Sequence, residues 1–263
     1  MIKKILITVS ILATGYSILF CQSEQLVINL ENPALPGRLI LENPRGSIKV
    51  TGYEGEVIVV SAGLRFGDNL KSTGDGLKKI EQNTLDLSAS VNGANVDLQC
   101  KTSGKTVDLD IKVPLSFSLK LRSLDNGKIE ITNVKGEIEV ENTNGDISLQ
   151  NVSGSAVLSS VYGKITASFR EVTPNAPMMF TSFEGDISVT LPQTINARMK
   201  MKSEKGQILS DFEMKPAKRQ PVINKIDSTR IYSLEDWANY DVNKGGPEYI
   251  IRTYNGNVIL RKR

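Results

Sequence analysis

The chain has 263 residues, enough for one large domain or two small ones, and carries 32 Lys and Arg against 29 Asp and Glu. It contains no histidine, which removes the commonest general base and the commonest metal ligand. The charges are interspersed and nearly balanced, so there is no electrostatic footprint for nucleic acid.

In chain order, residues 1–21 read as an export signal. Lys3 and Lys4 form its positive start and Ile5–Phe20 its apolar stretch, shorter than the ~20 residues a membrane-spanning helix needs. Cleavage after Cys21 makes Gln22 the new N-terminus and leaves no transmembrane segment in the mature chain. The alternatives are a lipid on Cys21, although Phe20 stands where a lipoprotein signal usually has Gly, Ala or Ser, and, last, an uncleaved anchor. After cleavage only Cys100 remains, so no intramolecular disulfide can form, and Cys100 in "NVDLQCKT" reads as a partly buried strand residue.

Three nine-residue units follow, "GRLILENPR", "GSIKVTGYE" and "GEVIVVSAG", starting at Gly37, Gly46 and Gly55. Residues 61–125 depart from the pattern. "GDNLKSTGDGLKKIEQN" reads as loop plus a short helix, and its glycines fail the spacing of a phosphate loop. "LDLSASVNGANVDLQC" predicts a hairpin around Asn92-Gly93, and "KTVDLDIKVP" and "SFSLKLRSL" predict strands divided by Pro114.

The unit then returns as "GKIEITNVK", "GEIEVENTN", "GDISLQNVS" and "GSAVLSSVY", with "GKITASF" opening a fifth, and their glycines are Gly127, Gly136, Gly145, Gly154 and Gly163. Its third and fifth places are apolar and face one side of a strand, while the second, fourth and sixth are mostly polar and face the other. "LENPRGSIKV" and "VENTNGDISL" match closely, Asn43 against Asn142. Looser copies open at Gly185, Gly206 and Gly256. "REVTPNA", "INARMKMKSEK" and the stretch 213–248 interrupt them. That last stretch reads as a mostly loop-like insert, with one helical turn in "SLEDWANY" capped by Ser233.

A meander of antiparallel hairpins does not require a constant period, whereas stacked coils do. The expected fold is therefore all-β, a right-handed parallel β-helix-like solenoid built from nine-residue half-coils with irregular inserts, spanning 22–263 as one domain. An 18-residue coil would stack Ile129, Ile147 and Ile165 in the core, Asn133 beside Asn151, and Lys128, Asp146 and Lys164 in one outer row. The eleven glycines that open units above, Gly93 of the hairpin apart, are the structural repeat positions.

No residue set points to catalysis, a metal or a cofactor. The units lack the second glycine and the acid of the calcium-binding nonapeptide G-G-x-G-x-D-x-U-x. Glu137, Glu139 and Glu141 alternate along one strand and read as a solvated face, with a cation site or a paired-carboxylate sugar site as the alternative. "NVS" at Asn151 matches a glycosylation triplet but falls inside the repeat. Tyr53, Tyr162, Phe183 and Tyr254 lie near repeat glycines, either as an exposed row for stacking carbohydrate or as packing over the coil edge.

"VDLDIKVPLSFSLKLRSLDNGKIEITNVKGEIEVENTNGDI", "FTSFEGDISVTLP" and "GGPEYIIRTYNGNVILRKR" resemble the putative adhesin family, exported bacterial domains of unknown function similar to the head GIN domain of autotransporter adhesins. The resemblance implies a β-helical fold and an envelope or surface location, and carries over no binding residues. Together these readings predict an exported, non-enzymatic binding or scaffolding protein of the periplasm, cell surface or medium, with an envelope glycan or protein as partner. A polysaccharide-acting enzyme, or a partner in envelope-stress signalling, are the alternatives.

Overall fold

The computed structural model describes residues 24–33, 35–65, 85–101, 104–125, 127–218, 222–226, 229–233 and 236–263. Residues 1–21, read above as an export signal, the stretch 67–83 and Asn126 lie outside them.

Eight bent rungs make the body, each giving one strand to either of two parallel sheets. In stacking order the rungs are Asn95–Cys100 with Thr106–Pro114, Gly37–Arg45 with Ile48–Tyr53, and Phe117–Asp125 with Ile129–Thr132. Lys135–Asn144 and the start of Ile147–Tyr162 form the fourth, and the rest of that strand with Ile165–Val172 the fifth. The sixth is Met178–Glu184 with Ile187–Leu191, the seventh Glu248–Asn255 with Val258–Lys262, and the eighth Ala197–Ser203 with Ile208–Ser210.

The β-solenoid expected from the nine-residue period is the fold. Where the period is unbroken, partners are 18 residues apart: Ile147 lies opposite both Ile129 and Ile165. All three are buried, as alternation along each strand requires, and their core is continuous from Leu39 to Leu260. Ile147→Ala removes three carbons from the middle of this column and should cost about 2–5 kcal/mol, read as a lowered denaturant midpoint.

The rung order departs from chain order at both ends. Residues 37–53 are second in the stack, inside residues 95–114, and residues 248–262 are seventh, inside residues 197–210. Two features of the sequence reading are corrected. The unit at Gly55 forms Val57–Arg65, which runs antiparallel to Thr106–Pro114 and to Glu24–Asn29 instead of making a coil. These strands cover one end of the stack with the hairpin strand Leu87–Asn92, which protects sheet edges from further pairing.

The insert 213–248 is largely strand where described. Ala238–Val242 pairs antiparallel with Ala197–Ser203 and with Met214–Pro216, covering the other end of that sheet. Val222–Ile226 and Thr229–Ser233 form a separate hairpin, so Ser233 ends a strand; residues 234–235 of the expected helical turn lie outside the described residues, and Ala238–Tyr240 of it are strand.

Candidate functional site: an open cavity at the asparagine corner

Each rung bends at two corners. At the first, Gly46, Gly127, Gly145, Gly163, Gly185, Gly256 and Gly206 form one column. A Cβ on any of the last six would collide with the carbonyl of the glycine before it, so the backbones approach more closely than any side chain allows. Gly136 and Gly154 stack likewise at the start of rungs four and five, whereas Gly37 faces the ring of Phe117 and Gly55 the ring of Tyr53. A buried polar ladder runs beside the column. Ser123 donates to the Gly46 carbonyl (3.2 Å), Asn142 to Gly127 (3.0 Å), Ser182 to Gly163 (3.1 Å), Thr253 to Gly185 (3.0 Å) and Ser203 to Gly256 (2.7 Å). These bonds satisfy carbonyls that the bend takes out of the sheet.

Acids complete this corner. The carboxylate of Asp108 accepts the Ser47 N–H (2.9 Å), Asp146 that of Lys164 (2.8 Å) and Asp186 that of Asn257 (2.7 Å). The row of Lys128, Asp146 and Lys164 is thus held by backbone capping, and Lys128 pairs instead with Glu130 in the strand that follows it (2.8 Å).

On the outer face of the first sheet, Glu137, Glu139 and Glu141 lie opposite Ser155, Val157 and Ser159. Their other neighbours are Ser118, Lys120 and Arg122. Lys120 reaches Glu139 at 2.9 Å, Arg38 reaches Glu139 at 3.6 Å and Arg122 reaches Glu141 at 3.4 Å. These pairs are solvent-exposed and add little stability, but they occupy the carboxylates.

The four aromatics do not form one row. Phe183 and Tyr254 stack with centroids 5.0 Å apart and planes 3° from parallel, and Lys205 Nζ lies over the Tyr254 ring, 4.9 Å from its centroid. Both rings are substantially exposed, and Tyr254 is engaged by the Phe183 ring and the Lys205 ammonium. Tyr162 is one step away in register, opposite Glu184, and Tyr53 donates its hydroxyl to the Val57 carbonyl (2.8 Å) far from the others.

The second corner is built on asparagine. Asn133, Asn151, Asn175 and Asn243 all adopt left-handed φ of 54–61° there, a conformation asparagine tolerates better than other side chains. Asn151 donates to Asn133 at 2.6 Å in the adjacent rung. Towards rungs five to eight this corner opens. The link 192–196 leaves rung six and passes over rung seven to reach rung eight, and 243–247 runs back from the covering strand Ala238–Val242 past rung eight into rung seven, whereas 173–177 joins rungs five and six directly. Asn243 ties the skipping link down by donating to the carbonyls of Ile195 (2.6 Å) and Gln193 (3.2 Å).

Between the diverging segments lies an open cavity of about 330 Å³, lined among others by Arg170, Thr173, Asn175, Thr194, Asn196 and Tyr249. Tyr249 is 1% exposed, sits between Met178 and Met199 in the sheet register, and its hydroxyl has no hydrogen-bond partner among the described residues. Burial pushes its phenol upward from the ordinary tyrosine range, so the group stays a neutral O–H. Periodicity could not reveal this site, because its walls are the segments that interrupt the repeat. Among the described residues, no three acid or thiol side chains converge as a metal site would require, and no helix is long and apolar enough to cross a membrane.

A solved structure of a putative cell adhesion protein from Clostridium sporogenes is similar at 12% identity and a TM-score of 0.45, covering 92% of this chain and 100% of that one. A likeness at that level carries no functional reading. No curated protein sequence matches significantly. The Toastrack DUF4097 family matches residues 79–230, in accord with the resemblance to exported adhesin-like domains. That match covers more than half of the 263 residues, and the chain therefore belongs to the Toastrack DUF4097 family.

Proposed function

We propose that the chain is an exported, non-enzymatic scaffold of the cell envelope that holds a glycan or protein partner without transforming it. The observation that carries this reading is the engagement of the acids best placed for chemistry. Glu139 and Glu141 are held by Lys120, Arg38 and Arg122, and Asp186 caps a backbone N–H of the next rung. A tuned acid and base need environments that pull their affinities for protons apart, whereas these groups serve pairing and capping. The solenoid supports the loops of the asparagine corner, the arrangement in which a rigid frame presents irregular segments to a ligand.

The test is incubation of purified protein with envelope and plant polysaccharides, followed by product analysis. Retention of intact polymer or of an envelope protein, with no shortened product, is the expected result. Release of shorter sugars that is lost in Glu137→Gln, Glu139→Gln or Asp186→Asn would move the chain to the enzymes. The last variant keeps an oxygen to accept the Asn257 N–H, so it tests chemistry separately from folding.

A further inference from the structure

We propose that the cavity at the asparagine corner of rungs five to eight binds one neutral saccharide ring, with the Tyr249 hydroxyl contacting it from the floor. The inference rests on the binding-scaffold reading and names the ligand class for one site on that scaffold.

Four observations converge on this class. The floor is apolar and shaped by Val172, Pro192, Ile195, Pro247 and the Tyr249 ring, a surface suited to the C–H face of a sugar. Tyr249 also lines it, and its hydroxyl bonds to no protein group among the described residues, which leaves that donor and acceptor open to a ligand. Around the rim stand the hydroxyls of Thr173 and Thr194 and the amides of Asn175 and Asn196, which together offer donors and acceptors to a ring of alcohols. Arg170 and Glu171, also at the rim, bring opposite charges, which favours a neutral ligand over an anion.

Size sets the rest. About 330 Å³ lies at the small end of ligand cavities, enough for a ring and not for a chain. The cavity opens to solvent, so the remainder of a glycan can trail outward. An extended peptide would instead ask for a sheet edge, and here the strands on either side are already paired within the stack.

The experiment follows the methyl groups of Met178 and Met199 by NMR, since both flank Tyr249. The full protein is titrated with methyl glycosides of glucose, galactose, mannose and N-acetylglucosamine, with tetrasaccharides of the same sugars, with glucuronate and with neutral tripeptides. A saturable shift with at least one neutral sugar is expected. It should weaken about fivefold to tenfold in Tyr249→Phe, which removes one hydrogen bond and no packing. Thr194→Ala, on the exposed rim, should weaken it too and gives a second reading if Tyr249→Phe alters folding. Tighter binding of the tetrasaccharide than of the glycoside identifies a glycan end as the ligand, and equal binding a free sugar.

No shift with any neutral sugar, an undiminished shift in both variants, or a response to glucuronate or tripeptides alone overturns the proposal. The two readings fail separately. Envelope material retained with silent methionines leaves the scaffold and removes the cavity site, while sugar bound there and cleaved leaves the site and removes the non-enzymatic scaffold.

Discussion

Deleting residues 248–263 should unfold the end of the solenoid beyond rung five. The deletion removes the seventh rung, which pairs with Met178–Glu184 and Ile187–Leu191 on one side and with Ala197–Ser203 and Ile208–Ser210 on the other. Tyr249, Ile251, Val258 and Leu260 leave the core with it. At about 1.5–3 kcal/mol for each buried side chain, their loss is comparable with the whole stability of an ordinary domain, about 5–15 kcal/mol. Limited proteolysis should then cut within 178–247 while rungs one to five persist. A truncated protein with the protease resistance of the full chain would show that rungs six and eight can close on each other directly.

Gly145→Ala is the point substitution expected to cost most for its size. The glycine has a φ of +138°, and an added Cβ would strike the carbonyl oxygen of Gly127, which also accepts the Asn142 amide at 3.0 Å. The struck atoms are backbone, the carbonyl of Gly127, and the Asn142 amide stands 3.1 Å away, so the rungs must part or the bend must open. Strain of this kind costs about 1–3 kcal/mol, and the disturbed Asn142 bond adds to it. Gly63→Ala is the control. Nothing lies within 4 Å of its added carbon and its φ is not in the left-handed region, so its effect should stay within about 0.5 kcal/mol. Equal melting temperatures for the two variants would contradict the close-packed column.

Some of this was legible in the residues because it repeats. Ile129, Ile147 and Ile165 share one place in the unit and one place in space, as do Asn133 and Asn151. The rung order was not legible. Parallel strands with the same alternation offer similar edges to any neighbour, so Gly37–Arg45 carries no mark that it lies between Asn95–Cys100 and Phe117–Asp125. The unit at Gly55 shows the same limit, since alternation fits an antiparallel cover strand as well as a coil. Glu139 revealed its acid neighbours along the strand, whereas Lys120 and Arg38 come from rungs 19 and 101 residues earlier in the chain. The cavity was hidden for a related reason. Tyr249 reads as one apolar place in "PEYIIRTY", and only the crossing of 192–196 over its rung gives it an opening.

That crossing also sets an order in time. During synthesis Ala197–Ser203 is complete before Glu248–Asn255 exists, and both present parallel edges to the same neighbourhood of the stack. Until residues 248–263 arrive, rung six has an unoccupied edge that the strand at 197–203 can take prematurely. The final pairing joins Met178 to Tyr249, 71 positions apart, so it closes a long loop against chain entropy after the local coils have formed. Closure of this late segment should therefore be the slow phase of refolding, and a chain halted before it would expose a sheet edge that invites aggregation.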